Sequence, residues 1–363
     1  MPARRRAAVA VAGALAFFLA VQLGALALVD PFQAAGYQQV EDPQNPANSL
    51  FYIAVLLVAT GGMLLLFRFG RTSVLRIFLI LTSGLISGYV FSVLIPPLPI
   101  AGGYGQTLLT AGGVGAVVLG LAVYPEWWVI DGTGLLVAMG AAALFGISFG
   151  ILPAILLLGG LAIYDAVSVY GTEHMLTLAS GIMELRVPVL IIIPTTTGYS
   201  FRAMADEMAS EVSTSKSGQD ETEATTSEAA ESEAPDGPKD RDHDDPSEEI
   251  ETEGSVEVEE NSPDPLERDA FFIGLGDAVM PTIMVASAAT FTDTPTVFGI
   301  EAAALGAIVG TVLGLGVLLQ MVMRGKPHAG LPLLNSGAVG GYVLAAILSG
   351  IPLVEAVGLA SVF

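Results

Sequence analysis

Phe271-Phe272-Ile273-Gly274-Leu275-Gly276-Asp277-Ala278-Val279 sets one carboxylate in an otherwise apolar run, and Leu161-Ala162-Ile163-Tyr164-Asp165-Ala166-Val167 does the same. Each aspartate lies inside a stretch hydrophobic enough to span a bilayer. An ionisable side chain at membrane depth is costly, so both are functional candidates by default. The rest of the chain bears on whether the two meet.

The surrounding composition is that of a polytopic membrane protein. Of 363 residues, 53% are apolar and 42 are glycine, and the mean hydropathy is +0.67; a soluble domain does not look like this. The net charge of −22 is resolved by position. Acidic residues crowd into 206–267, where Lys216, Lys239 and Arg241 are the bases before Arg268. The absence of cysteine excludes disulfides, thiolate catalysis and cysteine-based zinc sites. The histidines, His174, His243 and His328, are too far apart for metal-ligand spacing.

Nine apolar spans of about 17–25 residues are expected, each able to cross about 30 Å of hydrocarbon. They lie near 7–29, 50–67, 75–96, 106–124, 132–149, 150–170, 270–292, 298–322 and 329–350. The expected fold is therefore an all-α polytopic membrane protein with a short apolar tail from Ile351 to Phe363. Residues 1–170 hold spans one to six, 171–269 form a loop, and 270–363 hold spans seven to nine and the tail. Span one follows Arg4-Arg5-Arg6, as a signal peptide would, and Ala25-Leu26-Ala27 imitates a cleavage site. Its apolar run is longer than a typical signal core, which favours a retained helix.

The basic residues set the expected orientation. Arg4, Arg5 and Arg6 place the N-terminus in the cytoplasm. Arg68, Arg71 and Arg76 then fall inside after two crossings, and Arg324 and Lys326 after eight. Asp30, Glu41 and Asp42 fall outside, and so does the C-terminus. The indoles of Trp127 and Trp128 suit an interfacial belt. The expectation is a multi-pass cell-membrane protein with a cytoplasmic loop between spans six and seven.

That loop is not uniform. Val187-Pro188-Val189-Leu190-Ile191-Ile192-Ile193-Pro194 is β-branched and bounded by prolines, which predicts a short exposed strand. Phe201 to Val212 fits an amphipathic surface helix. From about 213 to 265 the residues are Glu, Asp, Ser, Thr, Ala, Pro and Gly, which cannot bury a core and repel one another. A disordered, solvated acidic tether is expected there, of a kind that also suits a high-salt cytoplasm.

Topology brings the aspartates to one level. Asp165 is about five residues above the cytoplasmic end of span six, and Asp277 about seven above the start of span seven. At 1.5 Å per residue both sit roughly 8–11 Å deep. Two carboxylates in contact cannot both ionise easily, so such a pair shares a proton. One takes a proton from water, the water attacks a peptide carbonyl, and the other protonates the carbonyl oxygen to give a gem-diol. No metal or other cofactor is needed. Gly274 and Gly276 allow close backbone approach and loosen the helix start. Tyr164 offers a hydroxyl to a carboxylate or a substrate carbonyl.

On these residues the chain resembles the presenilin and signal peptide peptidase family of intramembrane aspartyl proteases, in particular an archaeal presenilin homologue. Tyr164-Asp165 is similar to the Tyr-Asp motif of the family's sixth helix, and Gly274-Leu275-Gly276-Asp277 to the Gly-x-Gly-Asp motif of its seventh. The third motif, Pro-Ala-Leu, corresponds to Ala329-Gly330-Leu331-Pro332; Leu331 and the following proline match, while Ala329 and Gly330 replace Pro and Ala. The resemblance implies nine helices, Asp165 and Asp277 as the catalytic pair, and substrate contacts at Tyr164, Gly274, Leu275, Gly276, Ala329, Gly330, Leu331 and Pro332. It implies a small non-helical turn at the third motif, beside the catalytic pair. The partners implied are the transmembrane helix of a membrane-protein substrate and the lipid bilayer. The sequence itself points to no nucleic acid and shows no evident need for accessory subunits. A helical substrate must unwind before it is cut, and a strand over 187–194 would accept its backbone by β-augmentation.

Other polar residues carry plainer expectations. Glu173 and His174 end a helix in solvent, Glu301 and Glu355 are interfacial, and Lys326 and His328 meet lipid headgroups. Asn335 hydrogen-bonds a neighbouring helix. The chief alternative function is a proton- or cation-coupled transporter that uses the aspartates as a relay. An inverted repeat would favour it, but none is evident, and both aspartates lie at one membrane edge rather than the midplane. A prepilin-peptidase-like protease also carries Gly-x-Gly-Asp, but nine spans, the long connection and the absence of cysteine argue against it.

Overall fold

The computed structural model describes residues 3–97, 104–171, 190–194, 199–201, 203, 270–323 and 329–361. The expectations placed on Glu173, His174, Lys326, His328, residues 187–189 and the acidic tether lie outside the described residues, as does most of the surface helix expected over 201–212. One compact unit, made of Met1–Arg202 and Pro265–Phe363, holds all the helices and strands named below.

Among the described residues, nine long helices appear in chain order. They are α1 (Ala3–Ala34), α2 (Ala47–Arg68), α3 (Thr72–Leu94), α4 (Gly105–Val123), α5 (Trp127–Ser148), α6 (Ile151–Gly171), α7 (Leu275–Phe291), α8 (Ala302–Val322) and α9 (Gly330–Leu348). A short α10 (Leu353–Ala356) follows. All but α7 are long and apolar enough to cross a membrane by themselves; the 17 residues of α7 reach about 25 Å. Two small antiparallel sheets complete the fold. Strand β1 (Leu190–Pro194) pairs with β2 (Ala270–Gly274), with Ile192 opposite Phe272. Strands β3 (Thr296–Val297) and β4 (Ile300–Glu301) form a hairpin between α7 and α8.

Helices α5 and α7 form the centre. Ala138, Ala142, Ala143 and Ile147 of α5, and Ala278, Ile283, Met284 and Ala286 of α7, are buried. Lipid tails are as apolar as leucine, so helices in a bilayer associate through close packing rather than through hydrophobic burial. Small residues supply that closeness. A Cβ at Gly146 would overlap Ala286, and a Cβ at Gly310 of α8 would overlap the carbonyl oxygen of Gly337 on α9. α1 lies across the centre through Phe18, Val21, Ala25 and Leu28, all buried. α2 turns Leu50, Phe51, Leu57 and Val58 outward, as a lipid-facing helix does.

Several boundaries differ from those the hydropathy predicts. The fifth span begins at Trp127 rather than 132, because Glu126 is extended and its carboxylate accepts the Trp127 N–H. That places Asp131 inside the helix. The seventh apolar run is not helical from 270: Ala270–Gly274 is a strand, and the helix starts at Leu275. Asp277 therefore stands in the first turn of α7, not two turns into it. An apolar run with Phe-Phe-Ile fits either state, and the partner strand decides. The strand predicted upstream is present over 190–194, but Ile191, Ile192 and Ile193 are buried, not exposed. Glu301 closes the β3–β4 hairpin by accepting the Thr294 N–H and hydroxyl, each at 3.1 Å.

Candidate active site

Asp165 and Asp277 enter the site from different helices. Asp165 is on α6, one and a half turns before its end, and is half-buried. Asp277 is the third residue of α7 and also half-buried. α6 and α7 pack against each other, α9 packs against both, and the two carboxylates lie within electrostatic reach of one another.

α9 completes the constellation from its N-terminus. The Leu331 N–H donates to Asp165 Oδ2 at 3.1 Å. A Cβ at the preceding Gly330 would stand 3.4 Å from Asp277 Oδ2 and 3.4 Å from Leu318 Cδ2. Two consecutive backbone positions thus touch the surroundings of both carboxylates. The first N–H groups of a helix have no partner within it, so a carboxylate there satisfies a free donor and meets the positive end of the helix dipole. Ala329 caps α9 in an extended conformation and is buried. Pro332 falls in the first turn, where a missing N–H costs little. The third motif is therefore a helix start rather than the non-helical turn expected of it; only Ala329 is extended.

One turn further, Asn335 donates from Nδ2 to the Leu158 carbonyl at 3.0 Å. This is the neighbouring-helix bond expected of Asn335. It ties α9 to α6 two turns before Asp165 and so supports the Leu331–Asp165 contact.

The residues around Asp277 divide by environment. Gly274 is the extended cap of α7, and a Cβ there would meet Asp277 Oδ2 at 3.3 Å. Leu275 is buried. Gly276 faces open space, so packing does not demand glycine at that position. Pro281, one turn after Asp277, has no N–H to give the Asp277 carbonyl, which leaves the helix slack at the site. A cavity of about 220 Å³ opens beside Asp277, lined by Ala10, Val11, Phe272, Gly274, Leu315 and Leu318; that is room for water at the carboxylate. Tyr164, next to Asp165 on α6, is exposed. No group of three or more His, Cys, Asp or Glu able to hold a metal occurs among the described residues.

Two acidic residues that bind the chain between α6 and α7 escape a reading of the sequence. Asp131 Oδ1 accepts the Ile192 N–H of β1 at 2.8 Å. Glu126, at the head of the same helix, accepts the Phe201 N–H at 2.8 Å. The rule that singles out Asp165 and Asp277, a carboxylate inside an apolar span, also finds Asp131 once the fifth span starts at Trp127.

Known proteins share this arrangement of helices. Residues 15–351 match the family model described as signal-peptide peptidase, presenilin aspartyl protease. Two solved structures of a presenilin family intramembrane aspartate protease resemble the chain over nearly all of both lengths. The one in space group C222 is 29% identical, with 93% of this chain and 99% of that chain covered and a TM-score of 0.58. The one in P2 is 30% identical, with 93% and 97% covered and a TM-score of 0.55. No curated protein sequence matches significantly. These likenesses give the transporter alternative no support.

Proposed function

Because the chain belongs to the signal-peptide peptidase and presenilin family of intramembrane aspartyl proteases, we propose that Asp165 and Asp277 are its catalytic pair. The observation that carries this is the start of α9, where Leu331 binds Asp165 and Gly330 borders Asp277. The pair holds one proton. The ionised carboxylate takes a proton from water, whose oxygen attacks the scissile carbonyl carbon; the protonated partner gives its proton to the carbonyl oxygen. The gem-diol then collapses: the C–N bond breaks, the leaving amine takes a proton, and acid and amine products depart. The Leu331 N–H fixes the rotamer of Asp165 while this happens, and the cavity beside Asp277 admits the water.

The substrate is the transmembrane segment of another membrane protein, opened into an extended form. β2 supports this step. The Ile192 N–H points to Asp131, so Ile192–Phe272 is the non-hydrogen-bonded kind of antiparallel pair. The N–H and C=O of Phe272 therefore face away from β1, and Phe272 also lines the cavity that Asp277 borders. An unwound substrate strand gains there the bonds it lost on leaving its helix. Phe272→Pro removes that outward donor and no ladder bond. Cleavage is expected to fall about tenfold or more, the size of one or two backbone hydrogen bonds, with binding of a short active-site inhibitor preserved. Unchanged cleavage sinks strand addition at β2.

In the bilayer, the basic residues favour a cytoplasmic N-terminus and a cytoplasmic 171–269 segment. Accessory subunits have no role in this scheme. The test of the protease chemistry is direct. Purified in detergent and given a single-span substrate, the protein cuts within the apolar segment. A peptide mimic with a hydroxyl at the scissile position blocks it, because the hydroxyl takes the place of the gem-diol. Cleavage indifferent to such a mimic overturns the two-aspartate mechanism.

A further inference from the structure

α5 carries a second use of buried carboxylates, separate from the chemistry. Asp131 lies in the apolar sequence Val129-Ile130-Asp131, half-buried, four residues after the helix begins. An acidic group there needs a partner, and its partner is the Ile192 backbone N–H at 2.8 Å. Glu126, buried at the head of the same helix, takes the Phe201 N–H at 2.8 Å and the Ser200 hydroxyl at 3.2 Å. One helix thus grips the chain on both sides of residues 195–198.

Resting on the assignment of the catalytic pair, we propose that Asp131 is a positioning residue: it anchors β1 to α5 and, through the β1–β2 ladder, sets the place of Gly274 and Asp277. The physical need is clear. A sheet of two five-residue strands is marginal by itself, and its register decides which way every side chain faces. β2 passes into α7 without a break, and Asp277 follows Gly274 by three residues. A slip or twist of β1 is therefore passed to Asp277. α5 is among the most buried helices, so it is a rigid reference from which to hold the strand. The bond has a second effect. It occupies the outward donor of Ile192 and closes that edge of β1 to incoming peptide, which leaves the β2 edge for the substrate.

The role asks for an acceptor at Asp131, not a charge. Full-length protein is titrated with a hydroxyl-bearing peptide inhibitor, so that kcat refers to folded sites only. Asp131→Ala is expected to lower kcat about tenfold or more, as loss of one hydrogen bond to a carboxylate would, with a smaller change in KM. Asp131→Asn keeps an oxygen at the same place and stays within about threefold. Amide exchange of the peptide holding 190–194 rises in the alanine variant and not in the asparagine variant. Ile192→Pro removes the same bond from its donor side and gives the same loss, and the double variant adds nothing further. Ile192→Pro, which keeps Asp131, serves by itself if alanine at 131 does not fold. An alanine variant with normal kcat, or with unchanged exchange, overturns the proposal. So does an asparagine variant as impaired as alanine, which points to charge. The exchange readout does not involve Asp165 or Asp277, so failure of the anchor and failure of the catalytic pair are told apart.

Discussion

Asp165→Ala and Asp277→Ala each abolish cleavage of a single-span substrate, with a fall of about a thousandfold or more. The size follows from the chemistry: positioned acid–base groups contribute about 10²–10⁴ each, and here one group cannot work without the other. An ionised carboxylate alone has no acid to protonate the carbonyl oxygen, and a protonated one alone cannot take a proton from water. The two losses are not additive, so the double variant is no slower than either single one. Asn at either position gives the same result, since a carboxamide acts as neither general acid nor general base near neutral pH. Both variants keep the fold, because neither aspartate is a core residue: each is half-buried at a helix end. Cleavage products are read by mass spectrometry, and melting in detergent checks the fold. Wild-type cleavage by either variant removes the pair from the mechanism.

Gly330→Val reduces cleavage about a hundredfold, whereas Gly330→Ala stays close to wild type. A methyl at 330 reaches ordinary contact with Asp277 Oδ2 and Leu318 Cδ2, at 3.4 Å from each. The branched atoms of valine extend past that point into space that Asp277 and Leu318 occupy, so α9 must retreat or the carboxylate must turn. Either movement strains the Leu331 N–H bond to Asp165, one residue on. A misplacement of about 1 Å is enough to cost a hundredfold in a geometry-dependent reaction. The loss appears in kcat, and the inhibitor binds both variants with affinities ordered as their rates. Equal activity of the alanine and valine variants means that the start of α9 does not position the pair.

Much of the fold is legible because membrane insertion imposes local rules. About twenty apolar residues are required per crossing, so most spans are visible without any knowledge of their neighbours. Asp165 and Asp277 stand out for the same reason: a carboxylate in hydrocarbon is costly wherever the rest of the chain goes. Asp131 is subject to that rule too, but it falls just outside a span that hydropathy starts at 132, and a helix start misplaced by five residues hides it. The strand at 270–274 is hidden differently. Phe-Phe-Ile is apolar enough to read as membrane helix, and only the distant Leu190–Pro194 makes it a strand.

The third motif shows the same division within a few residues. Leu331 and Pro332 mark the place, but the sequence does not say that Leu331 donates to an aspartate 166 positions away. Where the chain crosses the membrane, and which carboxylates are out of place there, can be read residue by residue, since both follow from transferring each side chain from water to lipid. Three-dimensional packing is what sets the start of α9 between the two aspartates, puts β2 ahead of α7, and brings Asp131 to β1. Those are hydrogen bonds and contacts between segments far apart in sequence, and their energy depends on approach in space rather than on any residue's own preference.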